Sequence, residues 1–403
     1  MIQNIEIKNF KSVVDLSLDL GTFNVLVGEN GCGKSNILEA IAFGAAASAD
    51  KLDYEFLGSR GIRVTNPEFM YSAFSNGKKK KPITINFKTK EQKYFFDLLN
   101  DLNNPKKWNN RKKQIALKEI EKIFHAIYIE EDEKKRDKVL SEFSEGKEEI
   151  SSITEFLKPL RKDTDYKDLL RILFPTILES IFSNSEISNY IIYSPEQSSL
   201  RKFEETAQMY PLGIKGEGLF QYLKELAFDK KKIKTLNEIK KNLMLLDWYE
   251  GFELPENLMK NEFALRIKDK YLYPKLQYFD QRSTNEGFLF LLFFSTLFIS
   301  KTTPTFFAID NIDTSLNPKL CMQLTKNLAS LTTKNKKQVI ITTQNPAILD
   351  GLNLKDDNQR LFVVSRNNEG HTRIERIKYN DKRTMRLSDI WTKGFIGGLP
   401  ENF

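Results

Sequence analysis

The stretch Gly28-Glu29-Asn30-Gly31-Cys32-Gly33-Lys34-Ser35 meets every constrained position of the pattern G-x-x-x-x-G-K-[ST]. Its three glycines let the backbone turn tightly, so that successive N–H groups converge on a β-phosphate. Lys34 can reach the β- and γ-phosphates, and the Ser35 hydroxyl can ligate Mg²⁺. The chemistry implied is capture of a nucleoside triphosphate, ATP with Mg²⁺. Far downstream, Phe306-Phe307-Ala308-Ile309-Asp310 is an apolar run ending in an acid. In most chains with such a loop these two elements lie much closer together. After Asp310, where hydrolysis asks for Glu, stands Asn311.

These residues need a scaffold. Val25-Leu26-Val27 suits a buried parallel strand, and Asn36 to Ala47 read as a helix whose N-terminus faces the phosphates, where its dipole favours negative charge. Ile2 to Ile7, Asp15 to Leu20, Asn24 to Val27 and Ile83 to Phe87 read as strands of a first lobe, residues 1 to about 90. From 91 to 187 the chain turns charged and amphipathic, with helical spacing in Leu117 to Ile129, Lys134 to Phe143 and Leu169 to Phe182. No heptad persists there, so a compact helical insertion is expected rather than a long coiled coil. A second lobe, 188 to 403, opens on the strand Tyr190 to Tyr193, and Leu219 to Ala227 reads as a helix. Phe263 to Ile267 and Tyr271 to Tyr273 resemble paired strands. Then Phe288 to Phe298, Phe306 to Ile309, Leu316 to Leu331 and Val339 to Thr343 alternate helix and strand. The fold class is α/β, a mixed or parallel sheet flanked by helices.

Composition sets bounds on function. The 403 residues carry 62 Lys and Arg and a formal net charge of +8, which permits a nucleic-acid partner without requiring one. The lysine runs at Lys78 to Lys81 and Lys230 to Lys232 read as solvated loops. Cys32 and Cys321 are isolated, so neither a disulfide framework nor a zinc site is expected. The N-terminus alternates like a strand rather than a signal peptide. The most apolar run, Phe288 to Ile299, is too short for a bilayer. A cytoplasmic protein with no membrane partner is expected.

The opening Ile7-Lys8-Asn9-Phe10-Lys11-Ser12, the loop Gly28 to Ser35 and the late Asp310 block together resemble ABC-type ATPase heads of the RecF and SMC group. The nearest resemblance is to small bacterial OLD-like AAA ATPases of antiphage defence systems. The resemblance covers both ends of the chain well and the middle poorly. It implies that Asp310 is a Walker B acid holding Mg²⁺ with Ser35, and that Asp313 to Pro318 form the loop crossing a dimer interface. Arg282 to Gly287 stand at the signature place, where Ser283, Glu286 and Gly287 would meet the γ-phosphate of an opposite subunit. The alternative for this stretch is an ordinary helix cap by Ser283 or Thr284. Lys11 and Ser12 would lie near the base, and Gly28, Asn30, Gly31, Cys32, Gly33, Lys34, Ser35 and Asn36 would line the phosphates. Arg60 and Arg63 lie near the expected Q-loop, which has no convincing glutamine.

Two departures from the family pattern bear on turnover. Asn311 has no carboxylate to act as a base, and Gln344 replaces the switch histidine. Losing a positioned base costs about 10²–10⁴ in rate; Asp313 is the possible substitute. The expectation is tight ATP binding with slow hydrolysis. The resemblance further implies an ATP-dependent homodimer or higher homo-oligomer and a separately encoded effector, such as a TOPRIM-like or HNH nuclease. The tail, Trp391 to Pro400, lacks the acid cluster of a nuclease. A DNA-repair or chromosome-maintenance head is the main rival reading; a transporter subunit or a scaffold without nucleotide fits less well.

Overall fold

The computed structural model describes residues 1–74, 81–101, 103–104, 106–111, 183–202, 209–255, 264–382 and 384–399. The helical stretches expected between 117 and 182 therefore lie outside the described residues, as do Lys78 to Lys80. Thirteen strands are described. β1 (Ile2–Phe10), β2 (Val13–Asp19), β4 (Ile83–Thr89), β5 (Lys93–Asn100) and β6 (Trp108–Asn110) form an antiparallel sheet in the order β2-β1-β4-β5-β6. This sheet runs past residue 90, where the sequence alone places the start of a helical region.

The second sheet positions the site. Its order is β13-β12-β3-β11-β10-β7, built from β3 (Phe23–Val27), β7 (Ile192–Tyr193), β10 (Phe306–Ile309), β11 (Gln338–Thr343), β12 (Gln359–Arg366) and β13 (Thr372–Ile377). Every neighbouring pair is parallel except β12 with β13. Such a sheet is covered on both faces, so its central strands read as unbroken apolar runs, and every residue of β3, β10 and β11 is buried. Successive side chains serve opposite faces. Val25, Phe307 and Ile341 enter one apolar cluster, whereas Leu26, Ala308 and Ile340 enter the other.

Five helices of ten residues or more are described: α1 (Lys34–Ser48), α2 (Leu219–Phe228), α3 (Ile233–Asn242), α4 (Glu286–Ile299) and α5 (Pro318–Lys334). α4 is apolar on every side, and Phe288 through Ile299 are all buried, the behaviour expected of a helix inside a core. Asn317 caps α5 with a bond from the Leu320 N–H at 2.9 Å, and Pro318 occupies its first turn. Among the described residues no helix is long and apolar enough to cross a membrane.

Sequence reasoning missed β12 and β13, and it mispaired the small ribbon. β9 (Arg266–Asp269) pairs with β8 (Tyr249–Glu253), while Tyr271 to Tyr273 form a turn. Asp269 explains the turn: its carboxylate accepts from the Tyr271 N–H at 2.8 Å, a local bond that competes with a ladder.

Candidate nucleotide site

The phosphate loop leaves the carboxyl end of β3, and Asp310 follows β10. β11 lies between those two strands, so its own carboxyl end brings Thr342, Thr343 and Gln344 into the same crevice. Open parallel sheets place ligands at this edge. Ser35 and Asp310 are 275 positions apart in the chain, yet the Ser35 Oγ donates to Asp310 Oδ2 at 2.9 Å. One hydroxyl and one carboxylate, both hard oxygen donors, fit a magnesium ion that takes its other ligands from phosphate and water.

Close approach dictates the glycines. A Cβ on Gly33 would come within 2.1 Å of Thr372 Oγ1, and its φ is +111°. A Cβ on Gly28 would lie 2.2 Å from the Val364 carbonyl oxygen. β12 and β13 thus brace the loop from behind. Thr372 Oγ1 donates to the Cys32 carbonyl at 3.0 Å and lies 2.7 Å from Ser12 Oγ. Asn36 Nδ2 donates to the same Ser12 hydroxyl at 2.7 Å. Ser12 is therefore buried behind the loop as a brace.

Lys34 is almost wholly buried, and its ammonium donates to the Gly28 and Glu29 carbonyls at 2.7 and 2.8 Å. Burial pushes the Cys32 thiol up, partly offset by the Lys34 charge, so the loop sulfur stays protonated near neutral pH. Lys11 and Arg63 both donate to the buried carboxylate of Glu39 on α1. Arg63 thus joins Lys11 beside the loop. Arg60 turns away, donating to the Tyr190 carbonyl at 3.3 Å.

Asn311 stands at φ 56°, a left-handed conformation that Asn tolerates better than most residues. Its N–H donates to Thr342 Oγ1 at 2.8 Å, and that hydroxyl donates to Asp310. Thr342 therefore ties the acid to its neighbour, a role no sequence motif announced. Asp313 accepts from Thr343 Oγ1 at 2.7 Å, which occupies one of its carboxylate oxygens. Gln344 Nε2 donates to Asn30 Oδ1, joining the switch segment to the phosphate loop.

In the signature stretch neither Ser283 nor Thr284, the alternative caps, caps the helix. The N-cap of α4 is Asn285, which accepts from the Phe288 N–H at 2.9 Å. Ser283 instead donates to Asp280 at 3.1 Å and is exposed. Glu286 accepts from Ser315 Oγ at 2.6 Å, so the signature and the loop after Asp310 are joined within one chain. Arg201 fixes the turn from below, donating to the Gln281 and Thr284 carbonyls at 3.3 and 3.1 Å. Among the described residues the side-chain bonds of Ser283, Glu286 and Ser315 run among themselves and Asp280, and none reaches the phosphate loop.

The sequence profile described as AAA ATPase domain matches residues 1–349. The chain belongs to that family of ATPases. The match takes in the phosphate loop, Asp310, Asn311 and Gln344 of this AAA ATPase domain. A 43-residue segment is 56% identical to the chromosome partition protein Smc of Methanocaldococcus jannaschii, spanning 10% of this chain and 4% of that protein. Among solved structures, an Smc head bound to the C-winged helix domain of ScpA aligns over 94% of this chain and 98% of its own, at 17% identity and TM-score 0.49. An Smc head domain from Pyrococcus furiosus covers 94% and 96%, at 15% identity and TM-score 0.47. The SMC head domain from Thermotoga maritima covers 94% and 99%, at 13% identity and TM-score 0.43.

Proposed function

We propose that this ATPase binds ATP with Mg²⁺ tightly, hydrolyses it slowly, and uses the bound nucleotide to hold two or more copies of itself together. The observation that carries the reading is the junction of Ser35 with Asp310 beside Asn311. That pair supplies a hydroxyl and a carboxylate suited to Mg²⁺, while the neighbouring position offers an amide in place of a carboxylate. The metal, when bound, neutralises charge on the phosphate oxygens. Lys34 serves the same phosphates once its bonds to the Gly28 and Glu29 carbonyls are exchanged. Thr342 holds Asp310, and Gln344 couples Asn30 to the switch segment. Ser283, Glu286 and Gly287 meet the nucleotide of a second copy, Glu286 by exchanging its bond to Ser315.

The ATP-held assembly regulates a separately encoded effector, a nuclease of TOPRIM-like or HNH type, in bacterial antiphage defence, and the segment between the two lobes receives the trigger. Light scattering with and without ATP and Mg²⁺ tests the assembly: a mass increase that Lys34→Ala abolishes supports it. An unchanged mass counts against it. Co-expression with the adjacent genes followed by pull-down tests the effector, and recovery of the ATPase alone rejects a stable complex.

A second reading, a DNA-binding head for repair or chromosome maintenance, draws on the net charge of +8 and the 43-residue match to a chromosome partition protein. Duplex binding that needs ATP and weakens steeply with salt would favour it.

A further inference from the structure

The opposite end of the six-stranded sheet holds a second polar cavity of about 600 Å³, within the range of small-molecule sites. Its wall includes Arg60, Glu186, Asn189 and Lys301, and it lies against Ile191 and Thr305, which lead into β7 and β10. Asp310 follows the far end of β10. At about 3.3 Å per residue over the five steps from Thr305 to Asp310, the two sites stand roughly 17 Å apart along that strand.

The charges around this cavity do not balance. Arg60 is 8% exposed, donates one hydrogen bond to a carbonyl and rests 4.6 Å from the Phe56 ring, and its Nε has no partner. Behind Thr303 and Pro304, which also line the cavity, Lys337 is 2% exposed. It donates only to neutral oxygens, Thr303 Oγ1 at 2.7 Å, Pro304 O at 3.1 Å and the Thr303 carbonyl. Among the described residues neither cation has a carboxylate partner. Among the described residues the wall's one carboxylate, Glu186, is taken by the Met1 amino group at 2.6 Å. Buried charges are costly unless paired, and a buried guanidinium nitrogen without an acceptor asks for one. Burial pushes Lys337 down to about 7, and it pushes Arg60 below its ordinary range, partly offset by the Tyr193 phenol.

We propose that this cavity is a second ligand site, distinct from the nucleotide site, that takes a small phosphate-bearing molecule. The Arg60 guanidinium and the Lys301 ammonium, both in the cavity wall, receive the phosphate, a pairing that suits a planar fork and a point charge. Asn189 and Ser185 face the remainder of the molecule with neutral donors and acceptors, as a sugar requires.

The test is isothermal titration of the full chain carrying Lys34→Ala, which disables the phosphate loop, against ribose 5-phosphate, inorganic phosphate and ribose. Saturable binding of ribose 5-phosphate at one site per chain is expected, with no heat from ribose. Arg60→Met should weaken it at least tenfold and Lys301→Met severalfold. Equal binding of inorganic phosphate also supports the site and identifies the free anion as its ligand. No binding of either phosphate, or affinities unchanged in both variants, overturns the proposal. Should Arg60→Met fail to fold, the exposed Lys301 decides the matter alone.

Discussion

Replacing Asn311 with Glu should accelerate hydrolysis, and the structure bounds by how much. A positioned base contributes about 10²–10⁴ in rate, equivalent to about 3–5 kcal/mol of barrier. Asn311 sits at φ 56°, and a longer side chain held in that region costs about 1–2 kcal/mol. Its N–H bond to Thr342 belongs to the backbone and survives the exchange. Charging the whole strain against the transition state leaves at least about 1 kcal/mol, so the rate should rise between roughly fivefold and 10⁴-fold. Phosphate release at saturating ATP and Mg²⁺ measures it, with Asn311→Gln as the control of similar length and no carboxylate. A folded Asn311→Glu chain that binds ATP as the parent does and hydrolyses it no faster would refute the assignment of this position.

Other outcomes follow from neighbouring contacts. Lys34→Ala removes a buried ammonium from the loop, and at about 1.5–3 kcal/mol for a charge-assisted bond ATP affinity should fall roughly 10- to 100-fold in equilibrium dialysis. Thr342→Val strands the Asn311 N–H and frees one Asp310 oxygen; a loss of about 1–3 kcal/mol in denaturant unfolding, with weakened Mg²⁺ dependence, is expected. Glu39→Gln leaves Lys11 and Arg63 without their shared carboxylate. Arg63 is mostly solvated, so the stability loss should stay near 1–2 kcal/mol, and the nucleotide affinity should shift with it. Lys337 titrates near 7 when folded and near its ordinary range when unfolded. Between those values the unfolded chain binds more protons, so stability should rise with pH from about 7 toward 10, by up to about 1.4 kcal/mol per pH unit. Lys337→Met should flatten that rise in unfolding curves taken at several pH values.

The phosphate loop and the Asp310 strand were legible because their chemistry is local: glycines, a lysine and an acid at fixed offsets, each beside an unbroken apolar run. The helix Glu286–Ile299 was legible for the same reason, since a stretch apolar on every side has one place to go. What escaped notice depends on tertiary neighbours. Thr372 braces the loop only because β13 folds back beside Cys32, and no spacing encodes that contact. Glu39 looks like an ordinary helical acid until Lys11 and Arg63 converge on it. The cap on α4 is Asn285 rather than the alternative Ser283 or Thr284, and spacing alone did not decide it because Ser, Thr and Asn are all good caps. Asp280 settled the choice by capturing Ser283.

The central claim is retention of ATP. Single-turnover measurement of ATP bound to excess wild-type protein with Mg²⁺ tests it most directly. With the base missing, a rate about 10²–10⁴ below the common enzyme value near 10 s⁻¹ is expected, so nucleotide should remain intact on the protein for seconds to many minutes. Cleavage near 10 s⁻¹ would contradict the account.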